Sequence, residues 1–174
     1  MRNLITRHSI VVAALFIAGL LWTLFVNGAV PFLATPTLGQ AASMMGYAQA
    51  FANQHWYSLH GHAFGYPVPT ALATGLPLAW AAGWPIRLGA GAADAYSLAV
   101  ALWLTAGYAG AYRLSRKLGA RGYVAALSAT AWMSLPMVWA HQGYSSLGLG
   151  LGMLPLYISS CLAILDAGVI RVST

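Results

Sequence analysis

The segment YSLAVALWLTAGYAGAYRLSRKLGAR, residues 96–121, gives the strongest indication of the architecture of this chain. Its first part, up to Tyr112, carries no charge, and the part from Arg113 to Arg121 carries four basic side chains. A long uncharged run followed by clustered Arg and Lys is typical of a helix that leaves a membrane on its cytoplasmic side. We therefore predict a transmembrane helix over residues 95–113, followed by a cytoplasmic loop.

The distribution of charge extends this interpretation to the whole chain. Only 6% of the residues are charged, whereas water-soluble proteins carry about a quarter. No Lys, Arg, Asp or Glu lies between Arg7 and Arg87, or between Arg121 and Asp166. The net charge of +6 does not indicate a nucleic-acid partner, because the basic residues lie at the ends of apolar runs rather than together on one face. We expect membrane lipids to surround the chain.

Crossing about 30 Å of hydrocarbon takes roughly 20 apolar residues in a helix. The sequence predicts a single all-α integral membrane domain over residues 1–174, with four transmembrane helices at 9–33, 95–113, 122–140 and 147–165. The last of these contains Pro155 but no charge, and also the single cysteine, Cys161, so an internal disulfide is excluded.

The N-terminus has the pattern of an uncleaved signal anchor. Arg2 and Arg7 precede an apolar run that is longer than an ordinary signal peptide, and no good cleavage site follows it. We therefore expect a multi-pass protein of the plasma (inner) membrane with a cytoplasmic N-terminus.

The outer loop, residues 34–93, contains a further apolar segment, Thr70–Ile86, with Pro77 and Pro85 inside it. If it crossed the membrane, the basic loop after Tyr112 would lie outside, against the charge bias. We predict a re-entrant or interfacial segment, and a layout with five crossings remains the alternative.

Earlier in this loop, residues 38–56 have the pattern of an amphipathic helix in the membrane interface. The predicted apolar face consists of Met44, Met45, Ala48, Phe51, Ala52 and Trp56, and the polar face of Ser43, Gln49 and Asn53.

Histidines follow this helix. His55, His60 and His62 lie within eight residues, and neutral imidazole is a common metal ligand. His60 and His62 are our candidate ligands for a divalent metal, with His141 able to approach them. The alternative is a polar loop whose histidines bond to backbone, headgroups or water.

Asp94 is the single carboxylate on the outer side, so it is the available general base or metal ligand there. The alternative role is the N-cap of the helix that begins near Ala95. Four glycines at the start of the last helix, Gly143, Gly148, Gly150 and Gly152, indicate close helix packing.

The order of these features resembles a known family. A signal anchor and a juxtamembrane helix precede the segment Gly65-Tyr66-Pro67-Val68-Pro69, and the helix from Asp94 to Gly119 follows. After it comes Ser134-Leu-Pro136, then His141-Gln-Gly143. This organisation resembles the N-terminal part of integral-membrane glycosyltransferases of the C superfamily, which use polyprenyl-phosphate sugars on the outer face of the membrane.

The resemblance implies roles for individual residues. Asp94 would be catalytic, His60 and His62 would bind a metal, and Gln40, Gln54, Tyr66 and His141 would bind substrate. Such enzymes usually place an acid early in the first outer loop, where residues 38–43 have none. We therefore predict a chain that is truncated or not catalytic on its own. The alternatives are a non-catalytic membrane subunit or scaffold that packs against other subunits and, less favoured, a channel or transporter.

Overall fold

The computed structural model describes the backbone of residues 2–36, 41–53, 60–61, 70–71, 76–135, 138 and 145–166, and the side chains of 9–36, 41–53, 80–135, 138 and 152–166. These ranges contain six helices: α1 (Arg2–Val26), α2 (Ala41–Ala52), α3 (Leu76–Arg87), α4 (Ala92–Lys117), α5 (Gly122–Ser134) and α6 (Ser145–Asp166). Two short antiparallel strands, β1 (His60–Gly61) and β2 (Thr70–Ala71), pair His60 with Ala71. The prediction of an all-α fold is confirmed apart from this pair.

Helix α4 lies at the centre and α1 runs antiparallel to it. The Tyr108 hydroxyl donates to the Val12 carbonyl at 3.5 Å, and beyond the other end of α1 the Phe32 amide donates to Asp94. Helix α5 returns alongside α1, where the Thr130 hydroxyl donates to the Leu15 carbonyl at 3.3 Å. Successive long helices therefore alternate in direction.

Helix α6 runs parallel to α4 and packs closely against it. Gly107 lies beside Gly152, and Gly110 beside Leu156, so side chains added at either α4 glycine would meet the α6 backbone. At the end of both helices the Lys117 ammonium binds the Asp166 carboxylate at 2.7 Å. Gly152 is one of the glycines predicted for close packing, and it packs beside Gly107 of α4.

Helix α1 ends at Val26, short of the predicted limit of residue 33. The Asn27 side chain donates to the Thr23 carbonyl at 2.7 Å. Gly28 has φ 62°, and the Ala29 amide bonds back to Leu24. This is the usual glycine termination of a helix, so residues 27–33 form a turn instead of a further helical turn.

Proline explains a second difference. Helix α5 ends at Ser134 rather than at residue 140, because Leu135 precedes Pro136 and is extended (φ −63°, ψ 129°). Pro155, in contrast, lies inside α6 without ending it. The rest of the predicted segment, residues 136–137 and 139–140, lies outside the described residues.

Helices α2 and α3 form a short pair at the start of α4. The predicted amphipathic pattern of α2 is confirmed in its main features: Met44, Ala48 and Phe51 are buried, and Gln49 is exposed. Ser43 and Asn53 are exposed as well, while Ala50 joins the buried side. At twelve residues each, these helices are about 18 Å long.

Among the described residues, one helix is by itself long and apolar enough to cross a membrane. It is the part of α1 from Ser9 to Val26, with a mean hydropathy of 2.5. A shorter apolar segment, Gly152–Asp166, lies in α6. The first helix thus has the properties of a membrane span or signal anchor.

Candidate functional site around Asp94

Asp94 lies in the first turn of α4, which begins at Ala92, three residues before the predicted start. The predicted N-cap role of Asp94 is wrong. Gly91 is the capping residue, with an extended backbone (φ −62°, ψ 149°) and no side-chain hydrogen bond. The Asp94 carboxylate therefore does not cap the helix, and it lies near the positive end of the helix dipole.

The Asp94 carboxylate instead reaches back to the turn after α1. Its Oδ1 accepts a hydrogen bond from the Phe32 amide at 2.7 Å. Phe32 has φ 64°, a left-handed conformation that side chains other than glycine seldom adopt. The bond holds this turn against the start of α4. The second carboxylate oxygen has no hydrogen-bond partner among the described residues, so it can accept a hydrogen bond from a ligand.

Arg87, at the end of α3, holds α2 in place at the same end of the molecule. Its guanidinium donates to the Phe51 carbonyl at 3.0 Å and to the Ala52 carbonyl at 3.2 Å. The same group lies 5.4 Å from the centre of the Trp84 ring. Because these carbonyls end α2, the cation also meets the negative end of that helix. Sequence reasoning missed this role, since nothing in the sequence links Arg87 to residues 35 positions earlier.

The side chains of the other predicted site residues lie outside the described part of the chain. Gln40, Gln54, His62, Tyr66 and His141 lie outside the described residues. For His60 only the backbone is described, in the extended strand β1. Among the described residues no group of three or more potential ligands could hold a metal. Of the predicted site residues, Asp94 alone has a described side chain.

Two further polar groups follow Asp94 on α4. The Tyr96 hydroxyl and the Ser97 hydroxyl are buried and have no hydrogen-bond partner in the described ranges. Burying an unpaired hydroxyl costs about 1–3 kcal/mol, so a polar partner at either position would be stabilising. The sequence signal for them was weak, because Tyr and Ser are common in apolar helices.

Comparison with known proteins adds no further assignment. No protein-family model, curated protein or solved structure matches the chain.

Proposed function

We propose that the chain is a multi-pass membrane domain in which α1, α4, α5 and α6 span the bilayer and the N-terminus is cytoplasmic. The alternating helix directions support this, together with the exposed Arg113, Arg116 and Arg121, which all lie at one end of the bundle. We call this the basic end, and the opposite one the Asp94 end. By the charge bias, the basic end is cytoplasmic.

The sides of the bundle support the same proposal. Each long helix exposes large apolar side chains: Ile17, Leu102, Leu127 and Ile158 are examples, and Leu102 is 66% exposed. In water such a surface would favour aggregation, whereas the hydrocarbon of a membrane would solvate it. Helices α2 and α3, at about 18 Å, are too short to cross and would lie on the outer face.

Two exposed leucines give a matched test of this orientation. Leu88 and Leu118 each follow the end of a helix, are 87% and 76% exposed, and precede a glycine. In a Cys161→Ser background, an impermeant maleimide added to intact cells should label Leu88→Cys and not Leu118→Cys. Labelling of both after permeabilisation is the control. The reverse pattern in intact cells, which a fifth crossing or an inverted bundle would produce, would overturn the proposed orientation.

For the activity, we propose that the domain handles a polyprenyl-phosphate sugar at the Asp94 end, as the N-terminal membrane part of a C-superfamily-like glycosyltransferase. It would not be catalytic on its own. The resemblance of its helix order and the second Asp94 oxygen, which has no partner among the described residues, support this proposal. A carboxylate at that place is suited to accept a proton from an attacking hydroxyl.

The test is binding of a polyprenyl-phosphate sugar to the purified chain. We expect binding by the unaltered chain and a loss of about tenfold in Asp94→Asn, because a carboxylate accepts a stronger hydrogen bond from a sugar hydroxyl than an amide oxygen does. The asparagine oxygen can still accept the Phe32 hydrogen bond, so the fold should be retained. Absence of binding by the unaltered chain would contradict the proposal.

A scaffold is the second candidate, and two observations favour it. The carboxylate of Asp94 already serves to fix the turn after α1, and α4 and α6 meet through glycines as packing helices do. In that case the chain should be extracted from membranes with partner subunits, and Asp94→Asn should leave their association unchanged.

A further inference from the structure

An open groove runs between α1 and α4 towards the basic end. It has a volume of about 380 Å³, within the range of ligand pockets, and Val12 and Phe16 line one wall. The other wall is formed by Thr105, Tyr108 and Tyr112 of α4, with Ala109 at the rim. Among the residues whose side chains are described, no charged residue lines the groove, so its contents must be largely apolar.

Aromatic residues from both helices contact one another along this groove. The rings of Phe16 and Tyr108 are tilted against each other with centres 4.9 Å apart, and Tyr108 and Tyr112 stack at 6.4 Å. Rings in such contact stabilise one another beyond the area that they bury. These ring contacts therefore stabilise the walls of the groove.

The groove leads directly to two arginines. Arg113 follows Ala109 by four residues and Arg116 follows Tyr112 by four, so both continue the groove-lining face of α4. Both are exposed. Arg116 also donates to the Ala120 carbonyl at 3.0 Å, which holds its guanidinium at this end.

The chain has no side-chain anion left to neutralise these arginines. Its two carboxylates are Asp94, at the opposite end, and Asp166, which binds Lys117. A guanidinium pairs well with phosphate oxygens, since its donors match their geometry. An apolar groove that ends at two uncompensated guanidiniums has the charge and polarity pattern of a phospholipid with an anionic headgroup.

We propose that an anionic phospholipid binds here, with an acyl chain in the groove and its headgroup phosphate at Arg113 and Arg116. The proposal rests on the membrane placement proposed above and is independent of the glycosyltransferase activity. The site would lie in the leaflet at the basic end, across the bilayer from Asp94.

The test uses the full chain in nanodiscs of mixed phosphatidylcholine and phosphatidylglycerol. After transfer to detergent, the lipids retained per chain are counted by native mass spectrometry. We expect the unaltered chain to retain one phosphatidylglycerol and to prefer it over phosphatidylcholine. Arg113→Gln and Arg116→Gln should each lower retention about fivefold, from the affinity that a basic residue gains near anionic lipid. Arg121→Gln, which removes the same charge from the residue that precedes α5, should leave retention unchanged.

A second arm tests the groove. Ala109→Trp should fill it and abolish retention with both arginines intact, whereas Leu127→Trp on the exposed side of α5 should not. Inorganic phosphate should fail to displace the lipid. Equal retention in the Arg113 and Arg121 variants, undiminished retention in Ala109→Trp, or displacement by phosphate would each overturn the proposal. Because the arginines are exposed, their variants decide the question even if Ala109→Trp does not fold. Reversed maleimide labelling would overturn the orientation alone and leave this measurement intact.

Discussion

The two sides of α4 differ in how closely they meet their neighbours. Towards α6, Gly107 and Gly110 bring the helix backbones into contact. Towards α1, the adjacent residues Tyr108 and Ala109 line an open groove. In the segment GYAGAY, residues 107–112, the glycines that contact α6 thus alternate with the residues that line the groove beside α1. In this helix the glycines therefore allow backbone contact with α6, whereas Tyr108, Ala109 and Tyr112 line the groove beside α1.

Two substitutions at neighbouring positions of α4 should differ most in their effect on the free energy of unfolding. A Cβ at Gly110 would collide with the backbone of Leu156, so Gly110→Leu must push α6 away. We expect it to lower the free energy of unfolding by about 3 kcal/mol or more. Ala109→Leu, on the exposed groove side, should change it by less than about 0.5 kcal/mol. The measurement is denaturant or thermal unfolding of the purified chain in one detergent, and equal losses in the two variants would contradict the comparison.

A smaller loss is expected from Gly107→Ala. The added methyl would lie 2.7 Å from the Gly152 carbonyl oxygen, which belongs to the backbone and cannot rotate away. The expected loss is about 1–3 kcal/mol, the usual cost of overpacking. Ala106→Ser, an equally small change beside it, is the control in the same unfolding assay. An unchanged midpoint in Gly107→Ala would mean that α4 and α6 are not held by backbone contact.

On the α1 side, Phe16→Ala should lower the free energy of unfolding by only about 1 kcal/mol. Phe16 is partly exposed in the groove, and its main specific contact is the tilted ring pair with Tyr108 at 4.9 Å. Phe16→Leu should recover part of the loss by refilling the groove wall. A loss as large as that in Gly110→Leu would show that the groove side carries as much of the packing as the glycine side.

The smallest effect is expected where α4 and α6 end. The Lys117–Asp166 ion pair is 2.7 Å long, but the Asp166 side chain is 74% exposed. Exposed pairs contribute little, so Asp166→Asn should cost less than about 0.5 kcal/mol, and added salt should remove the difference. A loss that persists at high salt would indicate that the pair, and not the glycine contact, fixes the register of the two helices.

The sequence predicted the helices but only part of the packing between them. The uncharged run before Arg113 predicted α4, and the glycines predicted the close contact of α6. The matching glycines of α4 were missed, because a uniformly apolar helix does not reveal which side meets which neighbour. Pro136 was visible in the sequence, yet the predicted helix was extended past it.

The candidate site was less predictable than the fold. Asp94 was singled out because it is one of two acids, a property of the sequence itself. Its partner, the Phe32 amide, lies 62 positions away, and a backbone donor has no sequence signature. A contact of this kind depends on where two helix ends meet, which only the tertiary structure defines.

The path of α6 across Pro155 has a consequence for the order of assembly. Proline removes the amide that would bond to the carbonyl four residues earlier, so the two halves of a helix around it are weakly joined. Here the residues that flank it, Gly152 and Leu156, both lie against α4. Helix α4 thus supplies from outside the rigidity that the proline removes, and it precedes α6 in synthesis. When α6 is synthesised, the surface of α4 against which both of its halves pack is therefore already present.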